Sequence, residues 1–115
     1  MLSTARAIVV DDNYSQVEPA IKALSRLGIG SAYFSGKIED VPPTPLHGIR
    51  LAVVDMDLGN GTTDQSPAET ARQTLEYLNR LLANDANPLM VVVWTGSEEV
   101  YEEFRTQLAG ALPHV

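Results

Sequence analysis

The stretch Leu51–Asp64, which reads LAVVDMDLGNGTTD, decides how the rest of the chain is interpreted. Four apolar residues lead into Asp55, and Asp57 and a loop rich in Gly, Asn and Thr follow. An unbroken apolar run is typical of a strand that is covered on both faces, as in a parallel sheet. The stretch therefore predicts a buried strand that carries carboxylates at its end.

Two further apolar runs end in polar side chains in the same way. The run Ala7–Val10 leads into Asp11 and Asp12, and the run Leu89–Trp94 leads into Thr95. The carboxyl ends of parallel strands share one rim of the sheet, and ligands bind there in open α/β folds. We therefore expect these polar residues and Asp55 to form one site.

Helical patterns separate the predicted strands. An apolar stripe from Val17 to Leu27 predicts a first helix, with Ser15 as its N-cap and Gly28 closing its end. Two more helices follow: one is capped by Ser66 and carries Ala71, Leu75, Leu78 and Leu82, and the other is capped by Ser97 and carries Val100, Phe104, Leu108 and Ala111.

The second strand is predicted at Ile29–Phe34, and the proline-rich segment Ser35–Gly48 is predicted to be a loop or one irregular turn. The order β-α-β-loop-β-α-β-α implies right-handed crossovers. The predicted fold class is therefore α/β, with a parallel sheet and helices on both of its faces. At 115 residues the chain is expected to form a single domain.

Composition excludes several function classes. The net charge is −7 and there are two lysines, Lys22 and Lys37, which argues against binding to nucleic acid or to an anionic membrane. Without cysteine, neither a disulfide nor a zinc–thiolate site can form. No apolar run reaches the roughly 18–20 residues of a membrane span, and no secretory signal is recognisable. These features predict a cytoplasmic protein.

Carboxylates crowded at one rim repel each other, and a hard divalent cation relieves that repulsion. Mg²⁺ prefers a few carboxylate or carbonyl oxygens together with waters. Three simpler interpretations stay open: the Asp pair caps a helix, Thr95 and Ser97 serve only as caps, and Asp57, Asn60 and Asp64 form a solvated turn.

The strand-end residues resemble those of response regulator receiver domains. The resemblance covers Asp11 and Asp12 after the first strand, Asp55 after the third and Thr95 after the fourth. It implies a flavodoxin-like sheet ordered 2-1-3-4 and a phosphoaspartate switch that regulates an output module or effector protein.

The same resemblance implies a role for each residue. Asp55 would accept a phosphoryl group from a histidine kinase or a phosphotransfer protein. Mg²⁺ would be held by Asp11 or Asp12 with Asp55, and by the backbone carbonyl of Asp57. Thr95 would donate a hydrogen bond to the phosphoryl group.

The chain departs from the receiver pattern: the switch aromatic of the fifth strand is missing, a proline-rich connection replaces the family's second helix, and Gly96 stands where an alanine is common. Receivers have a fifth strand that ends in a lysine, and the sequence shows no such strand before Val115. We therefore expect the chain to be the N-terminal part of a larger protein. The loop after Asp55 is also longer than in most receivers.

Two alternatives remain open. The pattern Asp55, Asp57, Gly59 and Thr62, with Val91–Thr95 before Gly-Ser, resembles the first two motifs of haloacid-dehalogenase-type phosphatases. There Asp55 would be the nucleophile, Asp57 the general acid/base and Thr95 a phosphate ligand. The other alternative is a degenerate receiver fold that only binds proteins.

The fourth strand is predicted to lie at an edge of the sheet. In the order 2-1-3-4, Leu89–Trp94 is very apolar and has one unpaired side, which invites pairing with another chain. We expect a homodimer, or aggregation or element exchange, through this strand.

Overall fold

The computed structural model describes residues 5–55, 66–83, 88–95 and 97–111. Its centre is a sheet of four parallel strands in the order β2-β1-β3-β4. The strands are β1 (Ala7–Val10), β2 (Ser31–Phe34), β3 (Leu51–Asp55) and β4 (Met90–Trp94). The predicted α/β class and the flavodoxin-like order 2-1-3-4 are confirmed.

Three α-helices alternate with the strands. They are α1 (Tyr14–Arg26), α2 (Pro67–Leu81) and α3 (Glu98–Ala111). The segment Ser35–Gly48, predicted as a loop or one turn, contains a single 3₁₀ turn at Ile38–Asp40 and a bridge from Leu46 to Leu82. No described helix combines the length and the apolarity that crossing a membrane requires.

The predicted ends of α1 need correction. Its N-cap is Asn13, whose Oδ1 accepts a hydrogen bond from the N–H of Ser15 at 3.2 Å, so Ser15 is not the cap. Consequently Pro19 lies inside the helix rather than in its first turn, and removes one backbone donor there. Leu27 was predicted on the apolar stripe, but it follows the last helical residue and is 74% exposed. Gly28 (φ +77°) then turns the chain, as predicted.

The starts of α2 and α3 agree with the sequence, whereas Leu82, predicted on the stripe of α2, follows its last helical residue in an extended conformation. Ser66 Oγ accepts a hydrogen bond from the N–H of Glu69 at 3.1 Å, and Pro67 occupies the first helical position. Ser97 Oγ accepts from the N–H of Val100 at 3.3 Å. Each cap satisfies one of the backbone donors that a helix start leaves without an internal partner.

The main core lies on one face of the sheet. There Ile8, Val10, Ala52 and Val54 pack with α2 and α3, whose contributions include Leu75, Leu78, Leu81, Val100 and Phe104. The alternate residues Ala7 and Val9 point to the opposite face. They are fully buried there, as is Val17 of α1 (1% exposed). Helices therefore lie on both faces of the sheet.

Leu78 tests the main core. Replacing it by Ala is expected to lower the free energy of unfolding by about 3 kcal/mol, because the side chain is fully buried and truncation leaves a cavity. Urea denaturation measures the change. The matched control is Leu27→Ala, which is expected to change stability by less than about 0.5 kcal/mol because Leu27 is mostly exposed. Equal losses in both variants would contradict this packing.

Candidate functional site

Strand register brings the predicted residues to one rim. Val10 of β1 is paired with Val54 of β3, so Asp11 and Asp55 are the next residues on two neighbouring strands. Asp55 in turn is paired with Trp94 of β4, and Thr95 follows Trp94. Three neighbouring strands therefore end at this rim in Asp11, Asp55 and Thr95.

Three carboxylates meet at this rim, and we call Asp11, Asp12 and Asp55 the acidic cluster. One carboxylate oxygen from each lies within 4.8 Å of the others. Asp11 is buried (1% exposed), Asp55 is half-buried and Asp12 is exposed. Two oxygens on one Mg²⁺ are at most about 4.2 Å apart, so small side-chain rotations would let all three bind one ion. The donor set therefore fits a hard cation.

Asp11 is held in place by its own turn. Its Oδ1 accepts a hydrogen bond from the N–H of Asn13 at 2.8 Å. The hydroxyl of Tyr33 on β2 donates to the backbone carbonyl of Asp11 at 2.5 Å. The ring of Tyr14 stands edge-on to Tyr33, with 5.0 Å between ring centroids. These contacts fix the direction of the Asp11 carboxylate.

Sequence reasoning missed the two tyrosines. Tyr33 lies 22 residues after Asp11, and only the pairing of β1 with β2 brings its hydroxyl to the rim. The available signal was the strand order: in a 2-1-3-4 sheet, a polar-tipped residue near the end of strand two lies beside the end of strand one.

Burial raises the pKa of the Asp11 carboxyl above its ordinary value of 3.8. The hydrogen bond from the N–H of Asn13 opposes this rise, whereas the nearby charge of Asp12 adds to it. The folded chain therefore holds Asp11 in an environment that disfavours its charged form. A bound cation would remove this penalty.

Ser97 caps α3, and Thr95 accepts a hydrogen bond from this cap residue. Thr95 Oγ1 accepts a hydrogen bond from the N–H of Ser97 at 3.1 Å, directly before α3. This capping agrees with the simpler interpretation of the pair. It also links the end of β4 to the start of α3 through one hydroxyl group.

Asp57, the fourth predicted metal ligand, lies outside the described residues, as do Asn60 and Asp64. The role of the Asp57 carbonyl therefore stays a prediction.

Neither the two lysines nor the surface groove described below includes a residue of the acidic cluster. Lys22 Nζ forms an exposed ion pair with Glu18 at 2.9 Å, and Lys37 is an exposed residue of the loop after β2. One surface groove is lined by the first residues of α2 and by four glutamates of α3, and no residue of the cluster lines it.

Comparison of the chain with protein-family models, with curated proteins and with solved structures gives no match. The resemblance to receiver domains therefore depends on the strand-end residues and on the strand order.

Replacing Asp11 by Asn tests the electrostatics of the acidic cluster. Asn keeps the Oδ1 that accepts from Asn13 and removes the buried charge, so the metal-free variant is expected to melt a few degrees higher at neutral pH. Because the folded-state pKa is raised, the penalty is absent below pH 3.8 and grows as the pH rises through the raised value. The gain in Tm should therefore shrink as the pH is lowered toward 3.8.

Thermal denaturation with and without Mg²⁺ gives the measurement. Mg²⁺ is expected to raise the Tm of the original chain and to have little effect on Asp11→Asn. The control is Glu39→Gln, which removes an exposed carboxylate outside the cluster. Its Tm should match that of the original chain both with and without Mg²⁺. A lower Tm for metal-free Asp11→Asn at neutral pH would contradict the proposed penalty.

Proposed function

We propose that this chain is a receiver-like signalling domain that binds Mg²⁺ at the acidic cluster and accepts a phosphoryl group on Asp55. One observation carries the proposal: carboxylate oxygens of Asp11, Asp12 and Asp55 lie within 4.8 Å of one another at the carboxyl ends of adjacent parallel strands. Ligands bind at this position in open α/β folds.

Among the three carboxylates, Asp55 is best suited to be the acceptor. Asp11 is almost inaccessible, and one of its oxygens is already bound to the N–H of Asn13. Asp12 is exposed on the turn after β1, outside the paired residues of the sheet. Asp55 is half-buried at the end of β3, which is hydrogen-bonded on both sides. It therefore combines access with a fixed position.

The transfer needs little covalent chemistry from the protein. A carboxylate oxygen of Asp55 attacks the phosphorus of a phosphohistidine, and the P–N bond breaks as the new P–O bond forms. The released imidazole takes a proton from solvent. A bound Mg²⁺ would neutralise the negative charge that develops on the phosphoryl oxygens. Water later hydrolyses the acyl phosphate and restores the Asp55 carboxylate with release of inorganic phosphate.

Thr95 would pass the change on to the surface. Its hydroxyl oxygen accepts from the N–H of Ser97 at the start of α3. If the Thr95 side chain rotates to bring its hydroxyl within donating distance of a phosphoryl oxygen on Asp55, its oxygen moves away from the N–H of Ser97 and the first turn of α3 changes. An output module or effector protein that contacts this end of α3 would detect the difference. A histidine kinase or phosphotransfer protein as donor implies the cytoplasm as the compartment.

Beryllofluoride with Mg²⁺ tests the proposal, because it mimics a phosphoryl group on an aspartate. We expect amide NMR signals of Asp11, Asp55, Thr95 and Ser97 to shift, and Asp55→Asn to abolish the shifts. Asp40→Asn makes the same chemical change in the loop after β2, outside the cluster, and should respond like the original chain. Shifts that persist in Asp55→Asn would refute the assignment of the acceptor.

Incubation with a small phosphoryl donor and Mg²⁺ separates the proposal from its alternatives. A stoichiometric mass increase of one phosphoryl group, absent in Asp55→Asn, is expected. Repeated turnover of a phosphomonoester would instead indicate the haloacid-dehalogenase-type phosphatase. No response in either assay would favour the remaining alternative, a degenerate receiver fold that only binds proteins.

A further inference from the structure

The free side of β4 is an unusual surface for a chain of this charge. β4 is hydrogen-bonded to β3 on one side, and no described strand pairs with its other side. The face of β4 that points away from α2 and α3 is also apolar. Its three residues, which we call the apolar strip, are Met90 (66% exposed), Val92 (38%) and Trp94 (47%). α1 packs on the same face of the sheet against β2, but Met90, Val92 and Trp94 of β4 remain exposed. Apolar residues that stay exposed next to one another on an edge strand are a common feature of interaction sites.

The distribution of charge favours a second copy of this chain as the partner of β4. Residues 88–95 carry no ionisable side chain, although the chain as a whole has a net charge of −7. Edge strands of monomeric proteins are normally protected by charged residues, prolines or bulges, and none interrupts Met90–Trp94. Two copies of an acidic chain repel each other over most of their surfaces, and β4 lets them meet through a strand without ionisable side chains.

The backbone of β4 is also self-complementary. The N–H of Met90 donates to the carbonyl of Arg50, so Met90, Val92 and Trp94 direct their backbone groups toward β3, and Val91 and Val93 direct theirs outward. In an antiparallel pair with Val92 opposite its own counterpart, Val91 faces Val93 of the other copy. The outward groups of both copies then form four hydrogen bonds around a two-fold axis.

We propose that two copies of this chain pair through β4, antiparallel and centred on Val92, to form a continuous eight-stranded sheet. The axis is perpendicular to the sheet, so the exposed faces of the two copies join on the same side. Met90 then lies beside Trp94 of the other copy, and the apolar strip becomes twice as wide. This pairing does not require the phosphoryl chemistry at Asp55.

α3 extends the surface on the other side of the sheet. Gln107 donates to the carbonyl of Ala68, which fixes the flank of α3 that meets α2. Tyr101 lies about 120° away around the helix, on the flank next to the free edge of β4, and is 41% exposed. The paired strands would bring Tyr101 near its counterpart. A strand of five residues and one helix flank make a small interface, so the dimer should dissociate on dilution.

The absence of cysteine allows a register-specific test. In the proposed pair, residue 92 is about 4.5 Å from its counterpart between Cα atoms, which is within disulfide range. Val92→Cys is therefore expected to cross-link efficiently under mild oxidation. Met90→Cys is the matched control: residue 90 is on the same face and more exposed, but its Cα atom is about 14 Å from that of its counterpart. It should cross-link poorly with itself and well with Trp94→Cys in a mixture.

Solution mass provides a second measurement that does not depend on oxidation. Sedimentation should show the chain passing from 12.5 kDa to twice that mass with rising concentration. Val92→Lys places like charges opposite each other and should keep the chain monomeric. Leu27→Lys adds the same charge at an exposed apolar residue outside β4 and should leave dimerisation unchanged.

Two results would overturn the proposal. One is cross-linking of Met90→Cys that equals or exceeds that of Val92→Cys, since random collision favours the more exposed position. The other is a monomeric mass at all concentrations, in which case a different segment or protein covers β4.

Discussion

Parallel pairing of β1 with β3 places the ends of both strands at one rim, and both ends carry carboxylates. Parallel strands cannot separate these charges without losing their shared register, and the register is set by the buried pairs Ile8–Ala52 and Val10–Val54. The repulsion is therefore imposed by the same contacts that stabilise the core. A bound proton or a bound cation relieves it without any change in the register of the strands.

The sheet is protected unevenly. One face is covered by α2 and α3, which meet along their length and bury the largest apolar residues of the chain. The other face has α1, and β4 keeps alternate apolar residues in contact with solvent. The acidic cluster and this apolar strip lie close together, because Asp55 and Trp94 are partners in the ladder. A change in the charge of the acidic cluster can therefore affect the apolar strip, and covering the apolar strip can affect the acidic cluster.

Much of the fold was predictable from local pattern. Apolar runs that stop abruptly at polar residues defined the strand ends, and capping residues such as Ser66 defined helix starts. Local pattern failed at α1, since Asn13 and Ser15 are both good caps and the hydrogen bond between them decides which one is used. It also could not show which face of β4 is exposed, because Met90–Trp94 is uniformly apolar and the difference comes from where α1 lies. Tyr33 was missed because its contact with Asp11 depends on distant pairing.

Trp94 gives this arrangement an optical consequence. It is the single tryptophan of the chain, it is partly exposed, and its ladder partner is Asp55. Indole emission responds both to nearby charge and to contact with water. Neutralisation of the carboxylates would act on the ring through the electric field, and coverage of the strip would act through dehydration. One native chromophore therefore reports on both places, and the two effects can be separated because they differ in their dependence on protein concentration.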